Sequence, residues 1–307
     1  MTQFTRGVSF LFISILLYSI MPVLIRTLGA GHVPPASQVF LRYIVAFVSA
    51  GVYFFVTKAT FELKKRDVFM LFAVALFGYA LTNLFYTYGM LYTQVGTVLF
   101  IFFCSGVITP VLGHIFLKEK IYTAMKVALV LGFIALLFLF RPGPVATWKL
   151  GAVFAFASAI GQSLYVIGRK KLSHYSSTFI VLVNTFVGVV AVGLIAGFME
   201  TDFYTGSQGI TTLSSSTWLV TILFGIDNFA AWLFMTKGFQ LVAAGTGSMI
   251  MLAENIVGVL FAFLFFAEVP TITTLIGGVL ILAASTLVIH SGEKKTERER
   301  LLTDEVK

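Results

Sequence analysis

The sequence predicts an all-α integral membrane protein. Of its 307 residues, 58% are hydrophobic and only 11% are charged, and the mean hydropathy is +0.97. A soluble protein of this length keeps about a quarter of its residues charged, so this chain requires apolar surroundings. The composition therefore excludes a soluble enzyme, a nucleic-acid-binding module and a disordered chain, although the formal net charge is +8.

Ten apolar segments follow one another along the chain, each of roughly the 20 residues that a helix needs to cross a bilayer. Short polar connections separate them, apart from a longer stretch rich in Ser, Thr and Gly between 201 and 217. We interpret the first segment as a retained helix, because its apolar run is longer than that of a signal peptide. The predicted spans are 7–28, 37–57, 68–90, 95–117, 121–140, 149–168, 177–199, 217–237, 245–267 and 271–290.

The distribution of Lys and Arg predicts the orientation, because basic residues near the ends of spans favour the cytoplasmic side. With both termini in the cytoplasm, nearly all basic residues fall on that side, including those of the charged tail 293–307. Arg26, Arg141 and Lys149 fall on the opposite side, and Arg42 lies inside a span. The positive charge is thus a topology signal of a multi-pass protein of the plasma or inner membrane, surrounded by lipid.

An internal repeat relates the two halves of the chain. Because each half contains an odd number of predicted helices, the second copy would be inverted relative to the first. We therefore predict two inverted five-helix repeats, 1–145 and 146–292, followed by the tail. The matches are Leu76-Phe77-Gly78 with Leu223-Phe224-Gly225 and, at a separation of 149 positions, Gly89 with Gly238, Gly96-Thr97 with Gly245-Thr246, and Glu119 with Glu268.

This pattern resembles the drug/metabolite transporter superfamily, specifically the ten-helix EamA-type proteins. The resemblance rests on the stretches 76–121 and 223–269, in which a small-residue turn and an apolar run lead to a closing acid, Glu119 or Glu268. It covers nearly the whole chain. It implies a membrane transporter that needs no cofactor.

The chain departs from the family pattern about thirteen residues before each closing acid. Family members typically carry a Pro there, often preceded by Glu. Here Ser105-Gly106 occupies that place in the first half and Glu254-Asn255 in the second. Since Gly and Asn are poor helix formers, we expect a local bend at both places.

Three ionisable residues lie at membrane depth: Arg42, Asp227 and Glu254. A charge there costs at least about 2.5–3.5 kcal/mol, so each calls for a partner or a watery cavity. In one interpretation the two acids line a central path and bind a cationic or amino group of a substrate, or carry a coupling proton, with Arg42 on the same path. In the other, Arg42 pairs with one acid and the other acid stays protonated, so that these residues only fix the packing of the helices.

A second constellation consists of Tyr79, Asn83 and Tyr86, which share one face of the third predicted helix. Their hydroxyl and amide groups would lack partners in lipid, so we expect this face to point into the bundle. It could bind a zwitterionic or aromatic solute, or join helices by hydrogen bonds. Helix packing also competes with a transport role for the remaining candidates, which are Asn255, Gln162, Tyr165 and Tyr18.

The predicted function is secondary transport of a small organic metabolite by alternating access around a site near the midplane. Export of amino acids or similar amphipathic compounds leads, and uptake or exchange is the alternative. A lipid-modifying membrane enzyme is the alternative from another class, but the four histidines are dispersed and no catalytic motif is present. We therefore expect no enzymatic activity, cofactor or metal, and a small-molecule substrate as the partner.

Overall fold

The computed structural model describes residues 2–60, 63–93, 95–140, 150–207, 209–266, 269 and 271–304. These ranges are helical and contain no β-strand. The predicted boundary between 145 and 146, the closing acid Glu268, and Arg141 and Lys149 lie outside them. The α-helices are α1 (Gln3–Tyr18), α2 (Met21–Ala30), α3 (Pro35–Val56), α4 (Val68–Ala73), α5 (Leu81–Tyr92), α6 (Val95–Phe103), α7 (Ser105–Leu117), α8 (Thr123–Phe140), α9 (Leu150–Lys171), α10 (Ser177–Met199), α11 (Thr201–Thr205), α12 (Ser215–Leu241), α13 (Ala244–Met251), α14 (Glu254–Phe266) and α15 (Ile272–Asp304).

The helices form a membrane-embedded bundle. Within the described ranges, eight helical segments are long and apolar enough to cross a bilayer, and α8 adds a shorter apolar helix. Large apolar side chains cover the outside of the bundle, and Phe55, Phe69 and Phe198 are at least 80% exposed. Such a surface suits lipid and not water. The all-α membrane fold is confirmed, whereas the count of ten spans and the cytoplasmic termini remain predictions.

Both expected bends coincide with helix breaks. In the first half, α6 ends at Phe103 and α7 begins at Ser105, and in the second half α13 ends at Met251 and α14 begins at Glu254. The low helix propensity of the Gly and Asn that follow the breaks accounts for the interruption. Consequently Ser105 and Glu254 occupy the same place, the first position of the helix that follows the break.

The two halves repeat the same contacts between helices. Ser14 on α1 donates a hydrogen bond to the carbonyl of Ala231 on α12, at 3.0 Å. Ser158 on α9 donates to the carbonyl of Thr82 on α5, at 2.8 Å. The two acceptors are separated by the 149 positions of the sequence repeat. Thus α1 packs on α12 as α9 packs on α5.

Matched glycines allow these two helix pairs to approach closely. A Cβ atom at Gly238 would lie 3.1 Å from the carbonyl oxygen of Gly7, and one at Gly89 would lie 3.3 Å from that of Gly151. Gly89 and Gly238 are again equivalent positions of the repeat. Small residues at such crossings let membrane helices pack backbone to backbone.

The contact between Tyr79 and Asn228 lies at the centre of this symmetry. The Tyr79 hydroxyl donates to Oδ1 of Asn228 at 2.9 Å, and the two residues are themselves 149 positions apart. The pseudo-twofold axis that relates the halves therefore passes between them. Tyr79 also stacks on Tyr43, with ring centroids 4.8 Å apart, and meets Trp232 edge-on at 4.5 Å.

Glu119 joins the two halves at one end of the bundle. Its carboxylate oxygens accept hydrogen bonds from the backbone N–H groups of Ala244 and Gly245, at 2.9 and 3.2 Å. These N–H groups belong to the start of α13, where they have no partner within the helix and the helix dipole favours a negative charge. A side chain of the first half thus caps a helix of the second.

Glu200 makes the reciprocal contact with the start of α3. Its carboxylate accepts from the backbone N–H groups of Ala36 and Ser37 at 2.8 and 2.7 Å, and from the Ser37 hydroxyl at 2.7 Å. Tyr204 donates to the same Ser37 hydroxyl at 2.8 Å. Burial, together with the nearby Glu200 carboxylate, raises the pKa of Tyr204, so its phenol remains a donor.

The two caps lie at opposite ends of the bundle. The Lys171 ammonium lies 5.6 Å from the centre of the Phe116 ring, which places Glu119 at the same end as the start of α10. The 23 residues of α10 then run to the other end, about 34 Å away, where Glu200 follows. Each end is held by a carboxylate from one half bound to a helix of the other.

Candidate functional site

A cavity lies among α1, α2, α5, α6, α7, α9 and α12 to α14, where the two helix breaks meet. Counted with its open mouth, the space between the lining atoms is about 660 Å³. Its lining residues are Tyr18, Met21, Thr82, Asn83, Tyr86, Phe102, Phe103, Ser105, Gly106, Thr109, Gln162, Val166, Trp232, Phe239, Ser248, Met251, Leu252 and Glu254.

Glu254 is the single acid among these described lining residues. The break between α13 and α14 places it at the first position of α14. Ser19, at the end of α1, donates to the Glu254 carbonyl at 3.1 Å and holds this backbone in place. No described basic side chain lies within ion-pair distance of its carboxylate, since the ion pairs of the described residues all involve Asp67. The carboxyl group is therefore free to meet a cationic group in the cavity.

Asn83 and Tyr86 of the predicted tyrosine and asparagine face line the same cavity. The Asn83 amide is oriented from behind: its Nδ2 donates to the Tyr79 carbonyl at 3.0 Å, and its Oδ1 accepts from Arg42 at 3.2 Å. The Tyr86 ring meets Phe102 edge-on at 4.7 Å. Both residues therefore point into the bundle, as expected for polar side chains that would lack partners in lipid.

Tyr18 and Gln162 also line the cavity, on α1 and α9. Gln162 reaches the sulfur of Met235 at 3.5 Å, a weak contact that leaves its amide carbonyl available. The structure therefore brings together five of the ten predicted site residues, namely Tyr18, Asn83, Tyr86, Gln162 and Glu254.

Arg42 and Asp227 lie outside the cavity lining. The Arg42 guanidinium is fully buried, lies 4.5 Å from the centre of the Phe224 ring and contacts the Thr87 hydroxyl at 3.5 Å. It forms no ion pair with a described carboxylate, although half-buried Asp227 lies within range of its charge. Arg42 contacts the cavity lining at Asn83, whose side-chain carbonyl oxygen accepts its hydrogen bond.

Tyr79, Tyr165 and Asn255 are buried behind the lining. Tyr79 lies on the symmetry axis, and Tyr165 shares a 2.6 Å hydrogen bond with Thr236 and accepts one from Asn184 at 3.3 Å. Asn255 donates to the Leu252 carbonyl within its own break at 2.9 Å. These contacts tie helices together and orient the residues that face the cavity.

Trp232 is a lining residue that the sequence analysis missed. Its ring meets Tyr165 edge-on at 4.5 Å and Tyr18 at 6.0 Å, and it is 2% exposed. It lies 149 positions after Asn83, so the internal repeat pairs two residues that both line the cavity. Applying the repeat to Asn83 would have identified Trp232 from sequence.

The lining hydroxyls were missed for a different reason. Thr109 donates to the Ser163 hydroxyl at 3.1 Å, Thr82 to the Phe77 carbonyl at 2.8 Å, and Ser248 to a backbone carbonyl of its own helix at 3.0 Å. Small hydroxyl residues are common between membrane helices, so no sequence signal marks these three. These three hydroxyls make their part of the cavity wall polar without adding a charge.

The family of the chain is decided by a match to the EamA-like transporter family at residues 5–141 and 149–290. The protein belongs to this family. The two matched ranges correspond to the two halves of the EamA fold described above. The chain is therefore a multi-pass transporter of the inner membrane, embedded in lipid and acting on a small molecule.

Curated relatives of this EamA protein include transporters of both directions. It is 23% identical over 296 residues to a protein of Rickettsia felis named S-adenosylmethionine uptake transporter, with 96% of each chain covered. It is also 23% identical over 273 residues to the pseudopaline exporter CntI of Pseudomonas aeruginosa, covering 87% of this chain and 90% of the relative. Transport direction and substrate thus differ among proteins that are equally similar to this chain.

A solved crystal structure shares the EamA fold. It superposes with a TM-score of 0.74 at 16% identity, covering 92% of this chain and 97% of the other. At this identity the likeness concerns the fold alone.

Proposed function

We propose that this EamA protein moves a small amphipathic metabolite with an amino or other cationic group, by alternating access around the Glu254 cavity. Export of amino acids or similar compounds is the leading direction, and uptake or exchange is the second. The proposal rests on one observation: a carboxyl group without a basic partner among the described residues, in a cavity lined by aromatic rings and uncharged polar groups. An intramembrane carboxylate requires a compensating charge, and aromatic faces attract cations.

The relatives support a small organic substrate and leave both directions open for this chain. One is named for uptake of S-adenosylmethionine and another for export of pseudopaline. Nothing in the sequence resembles an ATP-binding loop. A solute or proton gradient would therefore supply the energy, or the protein would equilibrate its substrate.

The test is transport by the purified protein in liposomes, with labelled amino acids, S-adenosylmethionine and cationic metabolites, in the presence and absence of a pH gradient. We expect transport of compounds with an amino group and a loss of about tenfold or more in Glu254→Gln, because a hydrogen bond to a charged group is removed. Asp227→Asn is the matched variant, since it removes an intramembrane acid outside the cavity lining. It should lose less.

Two results would overturn the proposal. Absence of transport across the whole panel would remove an amino-bearing metabolite as the substrate. Equal losses in the Glu254 and Asp227 variants would mean that any buried acid matters and that the cavity has no special role.

Glu254 is also the residue that we propose to carry a coupling proton. In that case transport by Glu254→Gln loses its dependence on the pH gradient, because an amide does not titrate. A purified, reconstituted Glu254→Gln protein that keeps the full pH dependence would refute the proton role and leave substrate recognition intact.

A further inference from the structure

Two cations share one aromatic ring at one end of the bundle. The Arg6 guanidinium carbon lies 5.6 Å from the centre of the Phe10 ring, and the Lys237 ammonium lies 5.7 Å from the same centre. They belong to different helices, α1 and α12, which pack closely here: a Cβ atom at Gly7 would lie 3.4 Å from the carbonyl oxygen of Gly238. Two positive charges are thus held around one ring, where they repel each other unless an anion lies between them.

The Lys237 ammonium is held in an aromatic cage. Besides Phe10, the rings of Tyr53 on α3 and Phe234 on α12 lie 5.3 and 5.7 Å from it, and the Tyr53 hydroxyl accepts a hydrogen bond from Nζ at 3.0 Å. Cation–ring contacts fix the position of the charge and do not neutralise it. An ammonium has three donors, and in the described part of the chain the Tyr53 hydroxyl is the one acceptor that they meet.

No described carboxylate compensates either cation, since the ion pairs between described residues all involve Asp67. Both cations can be reached from outside the bundle, because Arg6 is exposed and Lys237 and the three rings around it are half-buried. The lining of the Glu254 cavity includes none of these five residues. The site therefore lacks an anion, and it opens to the surroundings of the bundle instead of the cavity.

The site lies at the depth of the lipid headgroups. The 27 residues of α12 span about 40 Å, which exceeds the hydrocarbon core of about 30 Å, so a few residues at each end lie among the headgroups. Lys237 is four residues before the end of α12, and Arg6 is three residues after the start of α1. The predicted orientation places this end in the cytoplasmic leaflet, which carries anionic lipid. Lipid phosphates are thus the anions present at this depth.

An apolar groove continues from the cations towards the centre of the membrane. Because Phe10 on α1 and Tyr53 on α3 both reach Lys237, this face of α12 forms the floor of a groove with α1 and α3 as its sides. Ala230 and Ile226 lie on the same face of α12, two and three helical turns before Lys237, and Ile226 is 47% exposed. Such a surface suits an acyl chain.

We propose that Arg6 and Lys237 bind the phosphate of one phospholipid with an anionic headgroup, and that an acyl chain of this lipid lies in the groove between α1 and α3. Phosphatidylglycerol offers a phosphate without a neighbouring cation, whereas phosphatidylcholine carries its own cation beside the phosphate. The two protein cations therefore favour the anionic lipid. Such a lipid would contact α1, α3 and α12 together.

The test is native mass spectrometry of the full-length protein in nonionic detergent, which counts bound lipids during titration with phosphatidylglycerol or phosphatidylcholine. We expect the first phosphatidylglycerol to bind about 20-fold more tightly than the first phosphatidylcholine. Arg6→Gln and Lys237→Met should each reduce this ratio about fivefold, because each removes one of the two charges. Lys126→Gln is the matched control and should change the ratio less than about twofold. Lys126 is an exposed lysine three residues after the start of α8, which packs mainly against α15.

The outcomes decide between this site and general surface charge. If the unmodified protein shows no preference for phosphatidylglycerol, or if Lys126→Gln lowers the preference as much as Arg6→Gln does, the proposal is wrong. A loss of preference confined to the Arg6 and Lys237 variants supports it. Because Arg6 is exposed, Arg6→Gln decides the case if Lys237→Met fails to fold.

A soluble phosphate is the other possible source of the anion. Glycerol 3-phosphate carries a phosphate without acyl chains, so it should not displace phosphatidylglycerol at an equal concentration. If it does, the site binds a free phosphate, and a lipid is the wrong occupant.

Discussion

Removing the Glu119 carboxylate should measurably destabilise the protein, because this side chain caps a helix of the opposite half. It accepts two backbone hydrogen bonds, from Ala244 and Gly245. Loss of a helix N-cap costs about 0.5–2 kcal/mol, and hydrogen bonds to charged groups contribute about 1.5–3 kcal/mol each before solvent screening. Since Glu119 is partly exposed, we expect a loss of about 1–2 kcal/mol for Glu119→Ala.

Two further substitutions calibrate this value. Glu119→Gln should lose about half as much, because the amide carbonyl can still accept one of the two bonds, without the charge. Glu200→Ala should lose more than Glu119→Ala, because the Glu200 carboxylate accepts three short bonds from Ala36 and Ser37. Asp202→Asn, at an exposed acid on α11, is the control and should stay within about 0.5 kcal/mol of the unmodified protein.

The measurement is the free energy of unfolding in mixed micelles, titrated with denaturing detergent and followed by the loss of tertiary signal. The reasoning is refuted if Glu119→Ala loses no more stability than Asp202→Asn. It is also refuted if Glu119→Gln is the more damaging of the two Glu119 substitutions, because the number of accepted bonds would then not set the cost.

Three more predictions concern the symmetric contacts and are read out in the same unfolding assay. Tyr79→Phe should cost about 1 kcal/mol, because it removes the buried hydrogen bond on the axis; no loss would contradict that bond. Gly238→Ala should cost about 1–3 kcal/mol by forcing α1 away from α12, whereas Gly197→Ala, with nothing within 4 Å, should not destabilise. Ser14→Ala and Ser158→Ala should each cost about 0.6 kcal/mol, and clearly unequal losses would argue against equivalent roles.

Much of the fold could be predicted from sequence, because long apolar segments indicate membrane-spanning helices. The span predicted at 177–199 has the bounds of α10, and the local bends expected at Gly106 and Asn255 fall where α7 and α14 begin after a break. Other bounds differ from the prediction. Helix α12 extends several residues beyond the predicted end at 237, on the side that the predicted topology places in the cytoplasm. Hydropathy cannot locate such ends, since polar residues continue the helix beyond the apolar core.

The site was only partly predictable, because polarity at membrane depth marks the interior without distinguishing a cavity from a packed interface. Tyr18 and Tyr86 line the cavity, whereas Tyr79 and Tyr165, with the same side chain, form hydrogen bonds between helices. Trp232 gave no polarity signal, since an aromatic residue in a span is usually packing or lipid-facing. Only the repeat carries that information.

The role of Glu200 was invisible for a further reason. Its position after a span suggests an ordinary loop acid, and the helix start that it caps lies about half the chain away, at Ala36 and Ser37. A partner that distant in sequence is set by the fold as a whole. The local sequence therefore shows that an acid follows the span, but it cannot show that this acid caps α3.

The hydrogen bond between Tyr79 and Asn228 has a consequence for motion. When two inverted halves exchange conformations, every contact is mapped onto its symmetry mate, and a contact between equivalent positions is mapped onto itself. The bond on the axis is thus the stationary point of such an exchange, and it can persist in both end states. The carboxylate caps at Glu119 and Glu200 lie at opposite ends of the bundle, so in the proposed alternating access they would move more than this central contact. The two halves are thus joined at the centre by Tyr79 and Asn228, and at the two ends of the bundle by the carboxylate caps.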